Sequence, residues 1–241
     1  MRFKSLILAL FSVQLWAAGP TDGLKLTWSD EFDGSNLDLN KWDYVGNSSR
    51  VTVSGGILKI AITDGGKGYG WQGSGITTKG KFKQVRGYFE ASAKYTARPN
   101  HRGAFSIINE KSPKMPQANL FIEYYADPSN KDGGALNFGG KIGDTSGVKN
   151  YNEAPKGRSV LPVKATEIPT AFHAYGFLLT DTAYEIYMNG KKIRSIARPT
   201  PSVGMEISLG HWVSEQQLEK ANPTADFVGD DFEVDYVRVY K

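Results

Sequence analysis

Between Leu24 and Tyr240 the chain is cut every few residues by Gly, Pro, Asn or Asp. The pieces left between the cuts are too short for helices and are rich in β-branched and aromatic side chains. Segments of this kind span residues 24–28, 56–62, 87–93, 103–108, 120–126, 135–138, 174–179, 184–188, 192–196, 205–209 and 232–240. In the last of them Phe232, Val234, Tyr236, Val237 and Tyr240 interleave with Glu233, Asp235, Arg238 and Lys241, as in a strand with one covered face. Asn189-Gly190, set between 184–188 and the following Lys-Lys-Ile-Arg, predicts a two-residue hairpin turn with positive φ at both positions. Only residues 214–221 read as helical. The expected architecture is all-β, a two-sheet antiparallel jelly-roll sandwich of the concanavalin-like sort, with too many strands for a small barrel.

A chain of 241 residues with 27 Gly and 11 Pro and no evident linker suits one domain of this class. The first eighteen residues stand apart. Arg2 and Lys4 precede an apolar run from Leu6 to Trp16 that ends at Ala17 and Ala18, the layout of a secretory signal and too short to span a bilayer. Residues 1–18 are therefore expected to be a signal peptide and 19–241 the domain, secreted or periplasmic, with no membrane partner and as a monomer. There is no Cys, which rules out a disulfide-stapled fold and lipoprotein anchoring, and suits a bacterial envelope or medium. The formal charge of +4 falls to +2 once Arg2 and Lys4 are removed, and the basic residues form no run, so nucleic acid is not an expected partner.

The stretch Ile-Glu-Tyr-Tyr-Ala-Asp at 122–127 carries the candidate chemistry. Side chains alternate along a strand, so Asn119, Phe121, Glu123, Tyr125 and Asp127 share one face, and Leu120, Ile122, Tyr124 and Ala126 the other. The apolar set belongs in the core, which aims Glu123, Tyr125 and Asp127 at the opposite side. Two carboxyl groups flanking an acetal are what glycoside hydrolysis needs, one to attack the anomeric carbon and one to protonate the leaving oxygen. Alpha carbons four apart on a strand are about 13 Å apart, and a retaining pair works at about 5–5.5 Å, so the two side chains must lean together. The alternative is a solvated Glu123 followed by an ordinary turn at Asp127-Pro128.

The chain from Leu26 to Trp42 with 51–61, then 76–82 and 87–94, 172–177, 184–190 and 232–240, resembles, in order, the strands of glycoside hydrolase family 16, the laminarinases, lichenases and their relatives. That family's catalytic strand reads Glu-x-Asp-x-Glu, with or without one extra residue before the last Glu, and this chain departs from it. In one register Glu123 is the nucleophile, Tyr125 stands for the middle Asp, and Asp127 for the acid/base Glu. Lys131-Asp132 and Leu136-Asn137-Phe138 then follow at lichenase-like spacing. In the other, Glu123 is the acid/base and Asn119 occupies the nucleophile's place, which would leave a protein that holds sugar without cutting it. The first register keeps two carboxylates and is preferred, although Asp127 is shorter than Glu by about 1.5 Å.

The resemblance further implies a sugar-stacking role for Trp212, and His211 beside it is expected to bind substrate as well. Trp71, in a Gly-rich loop, is a second stacking candidate, since a sugar's apolar face covers an indole well. The family's Arg near Gly75 and Trp near Ser106 are missing, so the polysaccharide bound need not be a usual glucan. No cofactor is expected; the family's calcium ion on the convex side has no ligand set legible here, and no metal site is assigned. The expected function is retaining hydrolysis of a β-linked polysaccharide, a glucan or related galactan, by Glu123 and Asp127. The competing readings are a carbohydrate-binding relative on the same scaffold and a polysaccharide lyase using Tyr125 as base.

Overall fold

The computed structural model describes residues 19–62, 73–98, 101–109, 118–126, 134–144, 147–150, 161–198, 203–213 and 231–241. The predicted signal peptide and the predicted helix at 214–221 lie outside the described residues.

Fifteen strands follow in chain order among the described residues: β1 (Leu26–Asp30), β2 (Asp43–Gly46), β3 (Val51–Ser54), β4 (Ile57–Ile60), β5 (Ser74–Thr77), β6 (Gly87–Lys94), β7 (His101–Asn109), β8 (Ala118–Ala126), β9 (Gly134–Asp144), β10 (Gly147–Asn150), β11 (His173–Leu179), β12 (Ala183–Met188), β13 (Lys191–Ala197), β14 (Glu206–Val213) and β15 (Phe232–Tyr240). They form two antiparallel sheets. One runs β13-β12-β11-β6-β15-β4-β3, with β1 also on β15, and the other runs β10-β9-β8-β7-β14-β5-β2. This is the expected jelly-roll sandwich.

The inner faces meet in an apolar core. Phe105 on β7 touches Phe177 on β11 across the sandwich, with ring centroids 5.2 Å apart. Leu120, Ile122 and Tyr124 of β8 point inward with Leu136 and Phe138 of β9, all almost fully buried. Tyr95, following β6, stacks on Phe232 at 5.0 Å and donates its hydroxyl hydrogen to the Ile122 carbonyl at 2.9 Å. This ties β8 to the opposite sheet by a buried hydrogen bond as well as by burial, which for each large apolar side chain contributes about 1.5–3 kcal/mol.

The turn at Asn189-Gly190 has φ of 48° and 74°, the left-handed pair predicted for a tight hairpin. The Ser-Asp-Glu-Phe stretch at 29–32 has a local task. Asp30, buried at the end of β1, accepts from the Trp42 indole Nε1 at 2.7 Å and from the Phe32 backbone N–H at 3.1 Å. It thereby holds Phe32 at φ 52°, a conformation that a bulky residue adopts only when its surroundings enforce it.

Four strands, β2, β3, β5 and β10, were not among the segments read from the side-chain pattern, although the family resemblance covered β3 and the end of β5, and β7 begins two residues before the predicted 103. Asp30→Ala leaves the buried Trp42 N–H without an acceptor and releases Phe32. A loss of about 2–3 kcal/mol is expected, read as a lowered urea midpoint at unchanged slope.

Candidate active site

The outer face of the β10-to-β2 sheet is organised in rows that run across the strands. Antiparallel register places Gly75, Gly210, Ala104, Glu123 and Asn137 side by side on β5, β14, β7, β8 and β9. On one side of this row lies Trp212, Arg102 and Tyr125; on the other lies Thr77, Ser208, Ser106 and Phe121. Adjacent rows are about 7 Å apart and adjacent strands about 4.8 Å.

Glu123 therefore emerges on the outer face, because Ile122 and Tyr124 beside it are committed to the core. It is nonetheless only 7% exposed. Its carboxylate is held from both neighbouring strands: Arg102 Nη1 on β7 donates to Oε1 at 3.1 Å, and the Asn137 side chain on β9 donates to the same group. Burial pushes the Glu123 carboxyl above its ordinary pKa, against the opposing pull of the Arg102 guanidinium and the Asn137 amide. The Arg102 guanidinium sits over the Tyr125 ring, 4.8 Å from its centroid. Sequence reasoning missed Arg102 and passed over the role of Asn137. Arg102 was legible as the outward partner of Ala104 and Ser106 had the strand been started at 101.

Trp212 is half-buried and turned outward as expected. Its ring folds back over Gly210, where an added Cβ would lie 3.4 Å from Cζ3. Gly210 shares a row with Glu123 two strands away, about 9.6 Å, so the indole and the carboxylate stand on the same outer face two strands apart. The small side chains between them, Gly210 and Ala104, leave the floor flat.

Asn119 is exposed and four residues from Glu123 on an unbroken ladder without a bulge, about 13 Å away. The structure does not bring the two together. Asp127 and Trp71 lie outside the described residues.

The expectation that His211 contacts sugar is corrected. Its ring points into the sandwich and is fully buried. Adjacent residues on a strand face opposite ways, so with Trp212 outward His211 must be inward. His211 Nδ1 lies 2.7 Å from the Ile60 carbonyl, an acceptor only, so Nδ1 carries the hydrogen. In the neutral ring Nε2 is then the acceptor, and His101 Nδ1, at 3.1 Å, must donate to it. Burial and the facing His101 lower the His211 pKa to about 3.

A cavity of 340 Å³ opens at the other end of β7 and β14, lined by Lys79, Lys81, Phe82, Lys83, Asn109 and Glu206. Lys81 is committed to the carbonyls of Leu39 and Trp42 and to Asp43. Among the described residues Glu206 is the one acid in that lining and is only half-buried, without the near-complete burial and two-sided clamp of Glu123, which is the better candidate. No cluster of three or more metal-ligating side chains occurs among the described residues.

Comparison with solved structures places this fold. LamA from Zobellia galactanivorans, in a Glu-to-Ser form holding laminaritriose and laminaritetraose, superposes with a TM-score of 0.68 at 18% identity, over 90% of this chain and 98% of that one. SCLam, a non-specific endo-β-1,3(4)-glucanase of family GH16, gives 0.68 at 20% identity over 93% of each chain. A GlcNAcα1-4Gal-releasing endo-β-galactosidase from Clostridium perfringens gives 0.68 at 19% identity, over 91% of this chain and 63% of that one. No protein-family model and no curated sequence matches the chain. The chain has the fold of the β-glycan hydrolases, and within them that of family 16.

The histidine pair makes stability depend on pH. Between about 3 and 6.5 the unfolded chain binds a proton at His211 that the folded chain refuses, so this contribution is complete above 6.5 and is lost as pH falls toward 3. The slope is up to about 1.4 kcal/mol per pH unit. Urea unfolding at pH 7, 6, 5 and 4 checks it: wild type should lose stability faster than His211→Gln as the pH is lowered.

Proposed function

We propose that the chain is an exported, retaining glycoside hydrolase that cleaves a β-linked polysaccharide, a glucan or a related galactan. One observation carries the reading: a carboxylate, Glu123, is set nearly buried into the outer sheet face that also turns Trp212 outward, on the fold of known β-glycanases. A surface Glu with no task would be solvated; this one is desolvated and clamped by Arg102 and Asn137, a costly arrangement that suits a reacting group.

In this reading a sugar stacks on Trp212 with its anomeric carbon over Glu123. Glu123 forms a bond to that carbon while the glycosidic C–O bond breaks, and Asp127 gives its proton to the departing oxygen. Water, losing a proton to Asp127, then displaces Glu123 and restores both groups. A predicted leader at 1–18 delivers the domain to polymers outside the cell.

The second reading, a sugar-holding relative without turnover, is favoured by Tyr125 standing where the family's middle carboxylate is expected and by the pairing of Glu123 with Arg102. LamA in its Glu-to-Ser form holds laminari-oligosaccharides, so a fold of this kind retains sugar with one Glu removed.

Release of reducing ends from laminarin, lichenan and a galactan separates the two. Glu123→Gln and Asp127→Asn should each lower turnover at least about 100-fold. Wild-type turnover in the Glu123 variant would remove Glu123 as the attacking group, and sugar retention by a wild type that releases no reducing ends would favour the second reading. Trp212→Ala should weaken oligosaccharide retention in affinity electrophoresis by about 1–3 kcal/mol under either reading.

A further inference from the structure

We propose that Arg102 is a positioning residue for Glu123, seated on Tyr125, and that this cation takes over support of the reacting carboxylate at the place where a carboxylate neighbour is expected. The inference rests on the hydrolase reading for its kinetic consequence, and on geometry for the rest. Arg102 and Tyr125 are directly opposed across β7 and β8, one row from Glu123. The guanidinium lies over the Tyr125 ring at 4.8 Å while its edge reaches Glu123 Oε1 at 3.1 Å. A planar group can stack by its face and donate by its edge at once, which an ammonium cannot do. Trp212, the opposed residue on β14, closes the row on the other side.

The groups that face Glu123 define what sets its charge. They are Arg102 from β7, Asn137 from β9 and Tyr125 along β8, with Tyr95 of the other sheet behind the strand. Arg102 is the only full charge among them within the described residues. The neutral Asn137 amide also opposes the cost of burial through its hydrogen bond, but the charge of Arg102 is the larger opposing influence. Loss of the guanidinium shifts a carboxyl this buried further toward its protonated form, and a protonated Glu cannot attack. Tyr125 acts through Arg102: its ring fixes the guanidinium, and its uncharged phenol does not repel Glu123 as an Asp would.

The test is a titration of the Glu123 side-chain carboxyl carbon by ¹³C NMR, with Glu123→Gln assigning the signal. In Arg102→Gln the midpoint should rise by about one unit or more, and in Arg102→Lys it should return part of the way to wild type. An unmoved midpoint in a folded Arg102→Gln protein overturns the proposal. Should Arg102→Gln not fold, Tyr125→Ala carries the test: loss of the guanidinium's seat should raise the midpoint, and an unmoved one again overturns it. Where a substrate is turned over, the acid limb of kcat/KM should move up by the same amount as the midpoint, whereas a purely structural role would lower kcat/KM without moving the limb. The titration needs no substrate. Absence of hydrolysis in wild type with a shifted midpoint would sink the hydrolase reading alone, and a fixed midpoint in an active enzyme would sink the role of Arg102 alone.

Discussion

The strict alternation of β8 is the constraint on which the site depends. Leu120, Ile122 and Tyr124 are buried against the other sheet, and the Tyr95 hydroxyl fastens the Ile122 carbonyl from across the sandwich. A slip of one residue would drive Glu123 into the core and expose three large apolar side chains, so the register is specified by several kcal/mol of burial. The direction of the carboxylate is thus a consequence of packing on the far side of its own strand. The same rule acts on β14, where Leu209 and His211 face inward and Gly210 and Trp212 outward.

Electrostatics then decides what that carboxylate can do. Burial alone favours the protonated acid, and a cation and an amide from the two flanking strands act against it. Removing one partner from such a pair is more damaging than never having built it, since a desolvated charge is left behind. Behind the sheet His211 satisfies both of its ring nitrogens only while neutral, with Nδ1 donating to the Ile60 carbonyl and Nε2 accepting from His101. Because His101 precedes Arg102 and His211 precedes Trp212, the core pair and the outer row are carried by the same two strands.

Much of this was legible in the sequence, for physical reasons. The long alternating strands declared themselves, the outward setting of Glu123 and Tyr125 follows from period two, the Asn189-Gly190 turn from its residue pair, and Trp212 was placed by the family resemblance. Strands of four residues such as β2 and β5 carry too few side chains to show a period, and Ser74-Gly-Ile-Thr has a Gly where packing would otherwise signal a strand. His211 was misassigned by assigning two adjacent residues to one face, which alternation forbids. Arg102 and Asn137 were missed as partners of Glu123 because register between strands is a property of the folded sheet and leaves no local trace.

The central claim is that Glu123 is the group that meets the anomeric carbon. Mass spectrometry after incubation with a 2-deoxy-2-fluoro-β-laminaribiosyl fluoride tests it most directly, since the fluorine slows release of any glycosyl-enzyme. The account predicts that the peptide containing Glu123 gains the mass of one fluoroglycosyl unit through an ester at that residue. A label on a different residue, or hydrolysis of the reagent with no covalent adduct, would contradict it.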